Sequence, residues 1–403
     1  MAPRPPAAPG RSSRLAAVRL AALLLVLVVG GAWLLHGELL RAPAPLMDEE
    51  FYLGASARVR AGGDPYDQQG YLYAPPYAHL LAALEERAAV AVLPVLRGSG
   101  LAGLWVLVWV SLAGSPWPWP ARAAAALAIV AAPVTANGIG CGNASVALVG
   151  PALAAVALAP RRPWVGGLLG GAVNAFKPLG VGALFVAVAP ERGGRLPPWA
   201  PRFTAATLLS AAAWLTVGRE HLVSMLRNSG GLPEFRFNLA LHRALASLDV
   251  GVHPFVPFAL ATLGGMALVR WRVRDGRARV AVAGTTCLLG LPLVNVSTFL
   301  FSVPAQVLAV ERALAVASAS WRAGSRGRAV AELALVAAAI ASVQGSYGGI
   351  SAQVLPFPFE GLVVMIPLAA AAALTLYGIG VLEGPARQAT SEAGAVVLGA
   401  ASP

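Results

Sequence analysis

Apolar residues are grouped along this chain in blocks, not in the two-residue alternation of a half-buried strand. Twelve apolar runs can be marked, at 15–35, 99–113, 122–137, 144–159, 164–176, 178–190, 202–217, 254–269, 280–294, 303–320, 329–345 and 359–382. Runs of this length and apolarity predict helices crossing a lipid bilayer, although a full crossing needs about 20 residues and several of these are shorter. The pair 164–176 and 178–190, separated by Lys177, reads either as two short crossings or as one re-entrant hairpin with Lys177-Pro178 at its tip. The stretch 76–97 carries Glu85-Glu86-Arg87 in its middle and reads as an amphipathic helix lying at the interface. The expectation is an all-α, polytopic transmembrane protein with about 12 membrane segments.

Charge fixes the sidedness. Arg4, Arg11, Arg14 and Arg19 place the N-terminus in the cytoplasm. Alternation along the runs then puts Arg122, Arg161-Arg162, Arg192/Arg195/Arg202, Arg270–Arg279 and Arg322/Arg326/Arg328 on that same side, so the basic loops agree with one parity. The predicted organisation is a cytoplasmic tail 1–14, a single membrane domain 15–382 and a cytoplasmic tail 383–403. Two long extracytoplasmic loops, 36–98 and 218–254, follow from the same parity. The first run, with its basic flank and the small residues Ala42-Pro43-Ala44, has features of a signal peptide; the eleven runs behind it favour a retained anchor.

Composition narrows the class. The chain has 403 residues, 57% hydrophobic and 12% charged, with mean hydropathy +0.69. Soluble domains carry about 25% charged residues, so a soluble enzyme, a disordered chain and a coiled coil are excluded. The net charge of +12 sits in short loops, which argues for membrane topology and not for nucleic-acid binding. Two cysteines, Cys141 and Cys287, make neither a disulfide framework nor a metal cluster. No Gly-rich phosphate loop is present, which argues against a cytoplasmic nucleotide-sugar donor.

The candidate chemistry lies near the first run. Eight of 18 acidic residues fall between Glu38 and Glu86, three of them consecutively at Asp48-Glu49-Glu50. Such carboxylates can supply a general base, hold a divalent cation or simply be solvated. Of 30 basic residues only one is Lys, and that Lys177 sits in an apolar stretch. A lysine there costs about 2.5–3.5 kcal/mol at a helix centre, so it is expected to face an interior cavity with a partner, or else to snorkel from a loop tip.

From Asp48 the sequence continues with Tyr52, then Gly62-Gly63-Asp64-Pro65-Tyr66, then Tyr73-Ala74-Pro75-Pro76. This resembles glycosyltransferase family 87, within the GT-C superfamily of polytopic, polyprenyl-phosphate-sugar-dependent transferases. Gly142-Asn143, Gly166-Gly167 with Phe176-Lys177-Pro178, and Asn238 with Arg243 resemble later family segments, with Ala240 where the family has Ser. The resemblance spans roughly 15–310. The region Leu291–Pro304 departs from it, lacking the family's late-loop Trp and His.

The resemblance implies a polyprenyl-phosphate-sugar donor, by family precedent mannosyl, and a glycolipid or glycan acceptor, with membrane lipids around the protein and no nucleic acid. It implies a multi-pass protein of the plasma (inner) membrane. Asp48 takes the place of the family's catalytic base; Lys177, Arg243 and Arg58 are candidates for the donor phosphate; Glu49, Tyr52, Tyr66, Tyr73, Asn238 and His242 are candidates for substrate contact. Glu49 and Glu50 are the fallback bases. No metal ligand and no cofactor is expected, a divalent metal being allowed but not indicated. The alternatives are a secondary transporter, which twelve spans would suit but for the lack of a repeat between the halves, and a non-catalytic lipid-handling protein.

Overall fold

The structure, a computed structural model, describes residues 45–381 except 69–70, 89–90, 192–193, 230–238, 247–248, 274, 292–293, 295 and 346–358, with backbone alone at 228–229, 242–243 and 359–364. Sixteen α-helices and no strand are found among the described residues. They are α1 (Met47–Arg60), α2 (Pro75–Ala88), α3 (Val92–Leu112), α4 (Trp119–Ala131), α5 (Pro133–Gly140), α6 (Ser145–Leu158), α7 (Pro163–Phe176) and α8 (Val181–Ala187). Then follow α9 (Ala200–Leu215), α10 (Leu222–Ser229), α11 (Leu241–Ala246), α12 (Phe255–Trp271), α13 (Gly276–Gly290), α14 (Val303–Arg322), α15 (Arg326–Gln344) and α16 (Phe359–Gly378).

Every apolar run within the described residues coincides with one or two of these helices. The number of crossings is another matter. Among the described residues three helical segments, Val92–Leu112, Val296–Arg322 and Arg326–Gln344, are long and apolar enough to cross a membrane; counting each of two bent pairs as one span brings that number to five. Twelve segments are therefore not established, because prolines divide several runs. Pro133 bends α4 against α5 by 48°, and Lys177-Pro178 turns α7 into the α8 segment by 115°, since proline removes a helical donor and clashes with the preceding turn. The 115° break puts Lys177 at a tip. The run 15–35 lies outside the described residues. The amphipathic segment expected over 76–97 is also divided: its first part is α2, and residues 92–97 already belong to the long apolar α3.

Helices meet closely where side chains are small. Gly167 and Gly171 lie so near α9 that an added Cβ would come within 2.4 Å of the Phe203 carbonyl and 2.3 Å of the Thr207 carbonyl. That packing docks α7 on α9 and brings Phe176, at the end of α7, onto Trp214, with ring centroids 4.8 Å apart.

The bundle has two chemically different ends. At the start of α3, Arg97 contacts Glu49; just past its other end, Ser115 donates to Glu311 at 2.6 Å. Fifteen residues of helix, from Arg97 to Leu112, separate these levels, about 22 Å, the larger part of the thickness of a bilayer core. At the Ser115 end Arg277 grips Glu311 with two hydrogen bonds of 2.8 Å, and Arg279 pairs with Glu191 at 3.1 Å. The Glu311-Arg312 interruption of an apolar run is thus internally satisfied at Glu311. The tyrosine-rich first loop caps the opposite end.

Candidate active site at the capped end of the bundle

The acidic triplet 48–50 is the first turn of α1. Carboxylates there favour the helix dipole, with Arg58 and Arg60 complementing it in the last turn. Glu49 also accepts from the Leu46 backbone N–H at 2.7 Å, which is half of a capping box. Successive helical side chains point about 100° apart, so the three acids diverge. Asp48 faces the loop after α5, Glu49 is buried, and Glu50 is exposed.

Glu49 is committed to structure. Its side chain is 1% exposed and that of Arg97 5% exposed; Arg97 Nε and Nη2 donate to its two oxygens at 2.9 and 2.7 Å. Gly142 makes the approach possible. It has φ +70°, and a Cβ there would lie 2.6 Å from the Glu49 side chain.

Asp48 is held from two directions. Its backbone N–H donates to the Cys141 carbonyl at 2.9 Å, and its Oδ2 accepts from Asn143 Nδ2 at 2.6 Å. Oδ1 accepts no hydrogen bond among the described residues. Burial raises the carboxyl above its usual value of 3.8, opposed by the positive charge of Lys177 and by the Asn143 hydrogen bond; the Glu49 charge raises it further.

Lys177 is 6% exposed. Its ammonium donates to Tyr73 Oη at 3.1 Å and to Ser145 Oγ at 3.0 Å, and lies 4.3 Å from the Tyr73 ring centroid. An ammonium has three donors, so one is left for a further acceptor. Among the described residues Lys177 touches no carboxylate; its partners are a phenol, a hydroxyl and a ring.

Five of the chain's seven tyrosines build the wall of this nook. Tyr52 Oη lies 3.0 Å from Tyr73 Oη and accepts from the Ala144 N–H at 3.1 Å. Burial pushes the Tyr52 phenol well above its ordinary range, so it stays neutral. Tyr73 stacks on Tyr77 at 5.0 Å, and Tyr66 donates to the Tyr73 carbonyl at 2.7 Å. The Ala74 N–H donates to the Phe176 carbonyl at 2.9 Å, joining the first loop to the α7–α8 break. A crevice lined by Glu49, Tyr77, Arg97, Gly138 and Asn143 opens beside Asp48.

The structure thus brings together Asp48, Tyr52, Tyr73 and Lys177, with Tyr66 behind Tyr73 and Glu49 beneath. Arg58 stands apart, exposed and ten residues along α1 from Asp48, about 15 Å of helix rise. Asn238 lies outside the described residues, as do the side chains of His242 and Arg243 on α11. Beside them Ala240 is fully buried and the Leu239 N–H donates to Val294 at 2.6 Å, so the second long loop docks on the late segment. Asn143 and Ser145 join the site although only the Gly142-Asn143 pair drew notice in the sequence. Arg97 gives no local signal, because its partner is 48 positions away.

The described residues thus form an all-α bundle with three to five candidate membrane spans and a carboxylate, an amide and a buried ammonium at one end. The family model of glycosyltransferase family 87 matches residues 71–302, more than half of the chain, and the protein belongs to that family. It is a membrane glycosyltransferase, and a place in the GT-C superfamily is consistent with its fold. The match includes Tyr73–Pro76, Asn143, Ser145 and Lys177 and begins after Asp48, Tyr52 and Tyr66. No curated protein and no solved structure matches the chain.

Proposed function

We propose that the protein transfers a sugar, by family precedent mannose, from a polyprenyl-phosphate donor to an acceptor hydroxyl on a glycolipid or glycan. Transfer takes place on the extracytoplasmic side of the plasma membrane. The observation that carries this reading is the convergence of the Asp48 carboxylate, the Asn143 amide and the buried Lys177 ammonium in one nook. That nook lies at the other end of the α3 helix, about 22 Å of helical rise, from the Arg277–Glu311 pair, whose end the positive-inside rule makes cytoplasmic.

Each group has a role that its geometry supports. Asp48, oriented through Oδ2 by Asn143, takes the acceptor proton at Oδ1 as the hydroxyl oxygen attacks the anomeric carbon. Lys177 uses its third N–H on the departing phosphate, while Tyr73 and Ser145 keep it pointed there. Attack from one face with phosphate leaving from the other inverts the anomeric centre. Arg243, whose side chain lies outside the described residues, is by family resemblance the second candidate cation for that phosphate. Tyr52 and Tyr73, themselves buried, form the hydrogen-bonded wall that holds Lys177 and the Ala144 N–H in place.

The test is transfer of radiolabelled sugar by purified protein from polyprenyl-phosphate-mannose, polyprenyl-phosphate-glucose and GDP-mannose. Product from a lipid-phosphate donor is expected. Product from the nucleotide sugar alone would reject the donor class and the sidedness together.

A further inference from the structure

Outside the Asp48–Lys177 nook, metal-ligating side chains from three separate segments gather in one place. His79 lies in the second turn of α2. Glu220 and His221 lie in the short 3-10 turn Arg219–His221 that follows α9, and Asp64 precedes the turn Pro65–Asp67. Glu220 Oε1 is 3.7 Å from His79 Nε2 and 3.7 Å from His221 Nε2, and one ligand atom from each of the three residues fits within 4.8 Å of the others. These separations are too long for hydrogen bonds. They are close to the ~3.4 Å expected between two ligands held about 2.1 Å from one tetrahedral zinc ion.

Three further observations point to a ligand. His79 Nε2 is shielded from solvent and has no hydrogen-bond partner among the described residues, a costly arrangement for a polar atom. His221 turns its other nitrogen, Nδ1, toward Asp64 Oδ1 at 3.8 Å, beyond hydrogen-bond length, and Asp64 is itself fixed by the Tyr66 N–H at 2.9 Å. Asp64 is placed to close onto that nitrogen when the ring is drawn to a metal by Nε2, and an imidazole oriented by a carboxylate in this way is a recurrent design of metal sites. Finally, the chain makes room for His79. Gly218 has φ +71°, and a Cβ on it would lie 2.5 Å from the His79 ring and 2.9 Å from Pro75 Cβ.

We propose that His79, Glu220 and His221 bind one divalent transition-metal ion of the zinc class, with Asp64 orienting His221. Two imidazoles and one carboxylate favour zinc or cobalt over magnesium or calcium, which take oxygen ligands. Three protein ligands leave a fourth position for water. The ion ties α2, which begins two residues after Tyr73, to the turn after α9, whose Trp214 packs on Phe176. It clamps the two extracytoplasmic loops together behind the nook.

The experiment uses full-length protein in detergent, purified on a tag without histidine, stripped with chelator and titrated with Co²⁺ and then Zn²⁺. One equivalent of Co²⁺ should bind with the visible d–d absorption of a four- or five-coordinate site, and Zn²⁺ should displace it. His79→Ala and Glu220→Gln should each weaken binding at least ~100-fold, and Asp64→Asn about 10–100-fold. His253→Ala, at an exposed histidine elsewhere, should bind as wild type. The Glu220 side chain is 60% exposed, so Glu220→Gln preserves the fold and keeps the comparison valid if His79→Ala misfolds. Absence of stoichiometric Co²⁺ in the wild type, or equal affinity in Glu220→Gln, overturns the site. The readout is metal content, so its failure is independent of the donor assay.

Discussion

Removing Arg97 should unfold the site from beneath. The Glu49–Arg97 pair is nearly solvent-free, at 1% and 5% side-chain exposure, and carries two charge-assisted hydrogen bonds. Arg97→Met strips both from a carboxylate that cannot reach water, leaving it the Leu46 N–H. Stranding one member of such a pair costs about 3–5 kcal/mol. Glu49→Met should also cost stability, by removing the carboxylate that accepts two hydrogen bonds from the guanidinium. Replacing both together removes the uncompensated charge, so Glu49→Met/Arg97→Met should lie within about 1 kcal/mol of wild type. The assay is reversible unfolding in mixed micelles followed by circular dichroism, arranged as a double-mutant cycle. Because Asp48 precedes Glu49 in the same turn, transfer activity should follow stability across the four proteins. A single-variant cost below about 1 kcal/mol, or a double variant as unstable as Arg97→Met, would refute the view that this pair seats the first turn of α1.

Other outcomes follow from the same geometry. Burial raises the Asp48 carboxyl above 3.8 and Asn143 and Lys177 pull it down, so kcat/KM should fall with acidification through a midpoint above 3.8. Asn143→Ala should move that midpoint higher; a downward move would contradict the assignment. The stability contribution has the opposite sign: a folded-state pKa above the unfolded one favours the protonated fold, so it is present below 3.8 and lost as pH rises through the folded value. Lys177→Met should weaken binding of a polyprenyl-phosphate donor by about 1.5–3 kcal/mol, roughly 10–150-fold, with Lys177→Arg retaining part of it, as measured by titration calorimetry. Unchanged affinity would return Lys177 to a structural role. Single cysteines at Gly63 and Arg272 should label with an impermeant maleimide from opposite faces of the membrane; labelling from the same face would reverse the sidedness.

Helix positions were largely legible in the sequence, since each apolar run within the described residues became helical. The crossings were not: the Lys177-Pro178 break was legible as a possible hairpin tip, but apolarity does not show that Pro133 bends the run 122–137. The acidic triplet was legible as a cluster but not as three different environments; that separation follows from the 100° step of a helix. Asp48, Tyr52, Tyr73 and Lys177 could be named because motif and rarity marked them. Arg97, Ser145 and the His79/Glu220/His221 group could not. Their meaning comes from contacts across dozens of residues, which no local pattern encodes. Glu49, next to Asp48 in sequence, is held by Arg97 and also lines the crevice beside Asp48, an arrangement that proximity in sequence does not show.

The central claim is that Asp48 is the base, and Asp48→Asn tests it most directly. The amide keeps the shape and can still accept from Asn143, but it cannot take a proton. In the radiolabelled transfer assay with a polyprenyl-phosphate sugar, turnover should fall at least ~10²-fold while donor affinity stays near wild type, because the proton moves only in the transition state. Glu50→Gln, at an exposed position in the same turn, should remain active. Wild-type turnover in Asp48→Asn would contradict the account.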